Sequence, residues 1–354
     1  MAAPALMRLR EKLPSSEIRV LVPEKLKGLY EHHSAVSGLL SFREDEGLFR
    51  VARRIRELKF DAALVLPNSH RSALEVWLAS VPVRAGVSIP MRNWFLTRTV
   101  HERLSRVRMH KLSDSEVRNR LRQGPGARPL ESSDSHQAYD YLHLAAALFG
   151  TDPRPLTPRL EVSEAEVRGI TTTFNLPAQR PVLGMNPGAQ YGPAKRWPAE
   201  RFIATALSVG RMLKSGLPPP LWIIFGTKGE APLCESVASA LNRAQAGTAQ
   251  NLAGKTSLRQ LMALLSEARV LLTNDSGPMH LAAALGTPVV AIFGSTSPIL
   301  TGPAIHTSST HHRILRSTVG CSPCFRRECP VGLPCMQEIT HEQAASAILS
   351  ALTH

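Results

Sequence analysis

Two short apolar runs joined by one helix, over residues 270–297, constrain the fold of this chain most. The stretch reads VLLTNDSGPMHLAAALGTPVVAIFGSTS. It predicts a buried strand over 269–273, a helix over 278–285 that ends at Gly286, and a second strand over 288–293. Strand, helix and strand in this order form a βαβ unit, which belongs to a parallel sheet. We therefore predict an α/β protein with a doubly wound sheet.

The polar turn between the first of these strands and its helix suggests a binding site. Pro278 suits the first helical position, because its missing N–H would have no intrahelical partner there. Ser276 or Gly277 then caps the helix, and the N–H groups of the first turn favour a phosphate. His280 can donate to the same anion, whereas Asp275 would repel it and is expected to accept from a sugar or a backbone amide. The alternative is a plain capped turn with a surface histidine.

This stretch resembles the C-terminal signature of the lipopolysaccharide heptosyltransferases, the inverting glycosyltransferases of family 9 that use ADP-heptose. A second similar stretch is the loop NPGAQYGPAKRWP, which follows a predicted strand over 182–185. The resemblance covers nearly the whole chain and is densest over 183–202, 251–298 and 320–339. It implies a GT-B fold, in which two Rossmann-like α/β domains face a cleft with the acceptor on the N-terminal side and the ADP-sugar on the C-terminal side.

The resemblance also implies the site residues. Lys195 and His280, with the helix start, would stabilise the charge on the departing ADP, and Asp275 would orient the donor. Glu230, after a predicted strand over 221–225, would bind the nucleotide ribose. The remaining implied donor-binding residues are Arg196, Lys255, Thr256, Asn274, Ser276 and Gly277. The implied reaction moves L-glycero-D-manno-heptose from ADP-heptose to the inner core of lipopolysaccharide, as the second heptose, without a metal or cofactor.

The start of the chain departs from the family pattern. It begins on a predicted helix over 2–13, followed by a strand over 18–22, as though a first strand and its loop were missing. In the heptosyltransferases that loop carries a Gly-Asp pair whose aspartate is the proposed catalytic base, and no residue here matches it. We expect a start codon assigned too far downstream, because the helix after the loop is intact. The alternatives are a truncated or non-catalytic ADP-sugar-binding homologue and a heptosyltransferase I or III with another acceptor.

The length of 354 residues favours two domains, and a proline-rich segment over 151–179 is the predicted linker. We predict an acceptor-side domain over 1–155 and a donor-binding domain over 156–354. The last helix, over 341–352, is expected to fold back on the first domain. A basic stretch over 101–134, broken at Gly124-Pro125-Gly126, predicts a mobile insertion in the first domain.

The charge of the chain indicates an anionic partner. The net charge is +14, with 26 basic against 17 acidic side chains over 1–160 and 16 against 11 over 161–354. Aromatic residues make up 5% and do not interleave with a basic stretch, which disfavours nucleic acid. Arg92 beside Trp94 suits an acceptor glycolipid or a membrane interface, and a solvated loop with a buried tryptophan is an equal alternative. With no signal peptide and no apolar run of ~20 residues, we expect a cytoplasmic protein, peripheral on the inner membrane.

Four clustered cysteines follow a C-x2-C-x4-C-x5-C pattern at Cys321, Cys324, Cys329 and Cys335. Four close thiols can bind zinc tetrahedrally, but this spacing departs from paired C-x2-C motifs and no histidine supplements it. Similar cysteine-rich ends occur in heptosyltransferase II sequences, whose transfer chemistry needs no metal. We expect stacked free thiols or a structural metal at most.

Overall fold

The computed structural model of this protein describes residues 1–124, 134–177, 179–213, 219–245, 247–303 and 311–353. They form two compact units: Met1–Arg106 with Asp134–Leu160, and Val107–Ser133 with Glu161–His354, as far as these are described. The predicted boundary between 155 and 156 lies close to the observed one after Leu160. Within the described ranges, no helix is long and apolar enough to cross a membrane.

The elements alternate between strand and helix along most of the chain. Those of residues 1–160 are α1 (Ala3–Lys12), β1 (Arg19–Pro23), β2 (Gly38–Phe42), α2 (Leu48–Glu57), β3 (Ala62–Val65), α3 (His70–Leu78), β4 (Val83–Val87), β5 (Arg98–Val100), α4 (Asp114–Gln123) and α5 (Ala138–Phe149). Those that follow are α6 (Glu164–Thr173), β6 (Val182–Asn186), α7 (Ala199–Met212), β7 (Leu221–Ile224), α8 (Ala231–Ala244), β8 (Ala249–Asn251), α9 (Leu258–Glu267), β9 (Leu271–Asn274), α10 (Gly277–Ala284), β10 (Val289–Phe293), α11 (Pro298–Thr301), β11 (Arg313–Arg316), α12 (Pro334–Glu338) and α13 (His341–Leu352).

Several helices begin where the sequence supplies a capping box, in which an N-cap hydroxyl and a Glu or Gln three residues later satisfy each other's backbone N–H groups. The helices that begin in this way are α4, α6, α9 and α13. Their N-cap residues are Ser113, Ser163, Ser257 and Thr340.

The first unit contains two small parallel sheets. Strands β1 and β2 form one, and β3, β4 and β5 form the other in that order. Helices α2 and α3 pack together over a core that includes Val51, Ile55 and Val76. Helix α1 packs on α5 through Ala5 and Leu142.

The second unit is built on a six-stranded, all-parallel sheet in the order β11-β10-β9-β6-β7-β8. In the central strands β6, β7, β9 and β10, successive apolar residues enter opposite cores, because side chains alternate across a sheet. In β9, Leu272 packs in the core that includes Phe202 and Ile348 of α7 and α13, while Leu271 packs in the core that includes Leu264 and neighbouring residues of α9 and α10. Both faces are covered by helices, which confirms the predicted α/β class.

The predicted insertion is not part of the first unit over the portion from Val107 to Gly124. Residues from Val107 onward belong to the second unit, not the first. Leu112 and Val117 pack with Cys321 and Cys324, and the Leu112 N–H donates to the Cys324 carbonyl at 3.1 Å. This packing orders α4 against the cysteine segment. Pro125, Gly126 and Arg128, also part of the predicted insertion, lie outside the described residues.

Helix α13 packs against elements of the second unit. It belongs to the second unit, where Ala344 and Ile348 join the core formed with α7 and β10. Its apolar face covers the sheet of its own unit, and its return to the first domain stays a prediction.

Candidate functional site

The strand order of the second unit reverses between β6 and β9, whose carboxyl ends lie side by side. The chain runs outward from β6 to β7 and β8, and then outward in the other direction from β9 to β10 and β11. In open α/β sheets, ligands bind outside the carboxyl ends of the strands at such a switch point. Asn186 ends β6 and Asn274 ends β9. The two most distinctive sequence stretches therefore converge on one edge of the sheet.

Asn274 and Asn186 tie the loops at this edge together. The Asn274 side-chain amide donates to the carbonyls of Pro187 (2.8 Å) and Gly188 (3.2 Å), and its oxygen accepts from the Trp197 N–H (3.1 Å). Asn186 donates to the Ser276 hydroxyl at 3.0 Å. Asn274 is fully buried, with both ends of its amide occupied by backbone. It therefore positions the loop, which corrects the expectation that it contacts the donor. Asn186, which links β6 to the start of α10, was not among the predicted site residues.

Lys195 and Asp275 form an ion pair across the switch point. Lys195 Nζ lies 2.6 Å from Asp275 Oδ2, and the Thr296 hydroxyl donates to the same oxygen at 2.7 Å. Only 15% of the Lys195 side chain and 5% of the Asp275 side chain are exposed. The ammonium also lies 4.9 Å from the centre of the Tyr191 ring. Asp275 thus accepts from a lysine and a hydroxyl, where the sequence predicted a sugar or a backbone amide.

Helix α10 begins at this edge with its first turn uncapped. Ser276 is the N-cap residue, yet its side chain makes no cap bond and instead shares a 3.0 Å hydrogen bond with Thr273. Gly277 is exposed, and a Cβ built on it would meet nothing within 4 Å. The first turn therefore has no side-chain cap, and there is space beside Gly277, as an anion site requires. His280 lies on the same turn and is half-buried.

Glu230 lies against the loop that follows β6. Its Oε2 accepts from the N–H and the hydroxyl of Thr227, both at 2.9 Å. Its Oε1 is buried without a hydrogen-bond partner among the described residues. A Cβ on Gly188 would lie 2.2 Å from that oxygen, so only glycine permits this approach. The carboxylate offers an acceptor beside the loop, and the requirement for Gly188 was missed in the sequence.

Lys255 and Thr256 follow β8, next to the turn after β7. Gly254, at φ +69°, brings this loop so close that a Cβ would lie 2.8 Å from the Lys228 Cα. The exposed Lys255 ammonium donates to the carbonyl of Asn251 at 3.0 Å. Arg196 is half-buried; its Nη2 reaches the Ala189 carbonyl at 3.5 Å, and its buried Nε has no hydrogen-bond partner within the described residues. The donor-binding roles of Lys255, Thr256 and Arg196 stay predictions.

The cysteine-rich segment braces the site through backbone atoms. The Phe325 N–H donates to the Ser295 carbonyl at 2.7 Å, and the Ser322 hydroxyl donates to the Gly294 carbonyl at 2.6 Å. The Arg327 carbonyl accepts from the Ala194 N–H at 2.9 Å. This segment thus holds both the loop after β6 and the residues after β10. No side-chain motif indicates this role in the sequence.

The thiols of this segment are free, and Cys321, Cys324 and Cys335 are buried. Burial raises the pKa of Cys335 to about 12 and that of Cys321 to about 11, and the neighbouring cysteines add to both shifts. In the described part of the chain, no group of three or more histidine, cysteine or acidic side chains is placed to hold a metal ion. As folded here, the cysteines pack as small apolar side chains.

In the first unit, Arg92 is buried and Trp94 is exposed. The Arg92 guanidinium donates to the carbonyls of Val87 (2.6 Å), Pro67 (2.8 Å), Ser69 (3.2 Å) and Val65 (3.4 Å). Burial lowers its pKa from the usual value. The expectation of an arginine facing a membrane or glycolipid is therefore wrong for Arg92. Its guanidinium instead links the carboxyl ends of β3 and β4 by hydrogen bonds. Trp94 is 81% exposed, so its acceptor or membrane role stays a prediction.

Comparisons with known proteins agree with this architecture. A model of glycosyltransferase family 9 (heptosyltransferase) matches residues 127–333. The chain is 32% identical over 320 residues to lipopolysaccharide heptosyltransferase 2 of Salmonella typhimurium, covering 88% of this chain and 82% of that protein. For lipopolysaccharide heptosyltransferase 2 of Escherichia coli the identity is 30% over 319 residues, with the same coverage of 88% and 82%.

Solved structures give the same result. The structure of E. coli ADP-heptose lipopolysaccharide heptosyltransferase II superposes with a TM-score of 0.75 at 27% identity, covering 100% of this chain and 94% of that one. A family 9 glycosyltransferase from Veillonella parvula superposes with a TM-score of 0.76 at 23% identity, covering 99% and 92%. By fold this protein is a glycosyltransferase of the GT-B class. The family model covers more than half of its length, and the chain belongs to glycosyltransferase family 9, the heptosyltransferases.

Proposed function

We propose that this enzyme transfers L-glycero-D-manno-heptose from ADP-heptose to the inner core of lipopolysaccharide and adds the second heptose. The observation that carries the proposal is the Lys195–Asp275 pair beside the open first turn of α10, at the switch point of a Rossmann-type sheet. The choice of donor and acceptor is supported by the names of the relatives that span most of the chain, which are lipopolysaccharide heptosyltransferases 2.

The donor is proposed to lie along the carboxyl edge of the sheet. Its diphosphate binds the N–H groups at Gly277, near Lys195 and His280, because a helix start attracts anions. A ribose hydroxyl donates to Glu230 Oε1, which has no partner among the described residues. The loop over 252–257 holds the adenine.

Inversion at the anomeric carbon requires a single displacement. The acceptor hydroxyl oxygen forms a bond to the anomeric carbon while the bond from that carbon to the diphosphate oxygen breaks, and ADP leaves with the electron pair. The hydroxyl proton passes to a general base. Lys195 and the α10 N–H groups stabilise the charge that develops on ADP. Donors of this kind contribute most when they are already in position before the reaction begins. The Thr296 and Asp275 contacts hold Lys195 in this way.

We further propose that the enzyme needs no resident metal and works as a peripheral protein on the cytoplasmic face of the inner membrane. The positive groups of the site supply charge that a metal would otherwise supply. In the first unit, Met91 and Trp94 are 69% and 81% exposed, and such side chains suit the lipid interface around an acceptor. We expect heptose transfer to persist in excess EDTA. We also expect the Trp94→Ala variant to bind lipid vesicles more weakly than the unsubstituted protein.

A second candidate function is ADP-sugar binding without transfer. Its support is that the residues of the described site, Lys195, Glu230 and the first turn of α10, are all assigned to the donor. The two functions share the donor site and differ only in turnover.

The test is heptose transfer from ADP-heptose to a panel of truncated inner cores that carry no, one or two heptoses. We expect transfer to the acceptor with one heptose. Transfer to the heptose-free core instead would make the enzyme a heptosyltransferase I, and transfer to the core with two heptoses a heptosyltransferase III. ADP binding without transfer to any acceptor would establish the second candidate. Neither binding nor transfer would refute both.

A further inference from the structure

Arg327, in the cysteine-rich segment, is bound to the loop that carries Lys195. Its Nε donates to the Tyr191 carbonyl at 2.7 Å, and its own carbonyl accepts from the Ala194 N–H at 2.9 Å. Gly192 permits this approach, since a Cβ there would lie 2.5 Å from the Arg327 carbonyl oxygen. The backbone and Nε of Arg327 are thus fixed to the loop.

The guanidinium of Arg327 shares one aromatic ring with the Lys195 ammonium. Its central carbon lies 5.4 Å from the centre of the Tyr191 ring, and Lys195 Nζ lies 4.9 Å from the same centre. The Tyr191 hydroxyl donates to the Phe325 carbonyl at 3.1 Å, which anchors the ring to the cysteine segment. Arg327 is exposed, and within the described residues its two terminal nitrogens have no hydrogen-bond or ion-pair partner.

The charges of the site explain why this arginine matters. Asp275 forms an ion pair with Lys195 and so offsets its charge at the edge where the diphosphate is proposed to bind. A nucleoside diphosphate ester carries two negative charges, and a helix start supplies only about half a positive charge. Arg327 adds a positive charge that no ion pair among the described residues offsets, and a guanidinium can donate two parallel hydrogen bonds to a phosphate.

We propose that Arg327, held on Tyr191, is a binding residue for the diphosphate of the nucleotide donor. This inference rests on the proposed donor site. It assigns to the cysteine-rich segment a direct part in donor recognition, beyond bracing the loops.

The experiment compares the affinities of the full-length protein for ADP, AMP and adenosine by titration calorimetry at low salt. In Arg327→Gln we expect ADP affinity to fall by about tenfold, the equivalent of about 1.4 kcal/mol for a lost charge-assisted contact, with adenosine affinity unchanged within about twofold. Arg327→Lys keeps the charge but loses the paired donors and the Nε contact with Tyr191, and is expected to recover only part of the ADP affinity. Arg243→Gln, which removes an exposed charge from α8, is the matched control and leaves all three affinities unchanged.

Three results would overturn the proposal. Unchanged ADP affinity in Arg327→Gln would mean that the guanidinium does not touch the diphosphate. An equal loss of adenosine affinity would mean that Arg327 acts only by shaping the loop. If the unsubstituted protein binds ADP no more tightly than adenosine, the proposed donor site fails together with this inference, and that outcome is distinct from a failure confined to the variant.

Discussion

Replacing Asn274 with alanine removes three hydrogen bonds at once from the switch point of the second unit. The Trp197 N–H loses its acceptor in a buried setting, and the carbonyls of Pro187 and Gly188 lose their donor. A buried polar group left without a partner costs about 1–3 kcal/mol. A buried carbonyl without a partner is tolerated better than a buried N–H, so we assign most of the cost to the N–H and expect a loss of about 3 kcal/mol in the free energy of unfolding.

Asn274→Asp sharpens the test because it preserves shape. The acceptor for Trp197 remains, but the atom that donated to Pro187 and Gly188 becomes a carboxylate oxygen facing two carbonyl oxygens. We expect it to destabilise the protein as much as alanine does, since a buried charge without a partner is costly.

Asn242 supplies a matched control. It also makes three bonds to backbone groups: its amide donates to the Ala249 carbonyl, and its oxygen accepts from the N–H groups of Thr248 and Ala249. These bonds lie at the start of β8, away from the carboxyl edge of the sheet. Asn242→Ala is therefore expected to lose stability and to keep its affinity for ADP.

The assays are thermal unfolding followed by the fluorescence of the buried Trp197 and Trp222, and calorimetric titration with ADP. For a unit of this size, about 3 kcal/mol corresponds to a lowering of Tm by about 6–12 °C. We expect Asn274→Ala to lose both stability and ADP binding. A stable Asn274→Asp variant with native ADP affinity would refute the reasoning, as would equal losses of ADP binding in the Asn242 and Asn274 variants.

Three further predictions follow from the packing. Gly188→Ala drives a Cβ into the Glu230 carboxylate and should weaken adenosine binding by about tenfold in a calorimetric titration, the equivalent of about 1.4 kcal/mol. Arg92→Met leaves four carbonyls without the donors they have from Arg92 and should destabilise the first unit by about 1–3 kcal/mol in denaturant unfolding. The pKa of Glu166 is lowered to about 2, chiefly by its hydrogen bonds to Arg259. The stability that this pair contributes is therefore present above pH ~4.5 and is lost as the pH falls towards 2. Arg259→Gln should weaken the decrease of the free energy of unfolding between these pH values.

Each of these has its own control. Gly210→Ala, in α7 with open space around it, should raise stability by up to about 1 kcal/mol without touching affinity. Trp94→Ala should leave unfolding unchanged, unlike Arg92→Met. Arg168→Gln removes an exposed ion pair with Glu164 and should not change how the free energy of unfolding decreases at low pH. Loss of vesicle binding in a fully stable Arg92→Met variant would contradict the structural role of that arginine.

The central βαβ unit was predictable because its physics is local. Buried parallel strands read as continuous apolar runs, and β9 and β10 do so on either side of a helix with a proline in its first turn. The short strands β2, β5, β8 and β11 were not predicted. With three to five residues each, they depend on pairing with distant partners more than on their own pattern.

Sequence patterns indicated which residues lie in the candidate site but not which of them contact one another. Lys195 and Asp275 were both expected there, yet their ion pair joins residues 80 positions apart, which no spacing rule reveals. Arg92 next to an exposed tryptophan has the pattern of an interface residue, although its guanidinium is buried against backbone carbonyls. The cysteine segment contacts the site loops through backbone atoms of Phe325 and Arg327. Backbone hydrogen bonds of this kind do not depend on the side chain, so no sequence motif predicts them.

The most direct test of the central claim is the turnover of heptose transfer in Lys195→Ala and Asp275→Ala, measured with ADP-heptose and a one-heptose inner core. Glu200→Ala and Arg243→Gln, at exposed positions of the same unit, serve as controls, and thermal melts check that each variant is folded. We expect both site variants to lose at least about a hundredfold in turnover, the range for removing one preorganised charge-stabilising donor, while the controls keep the activity of the unsubstituted enzyme. Folded site variants with unchanged turnover would contradict the assignment of the donor site to the switch point of the second unit.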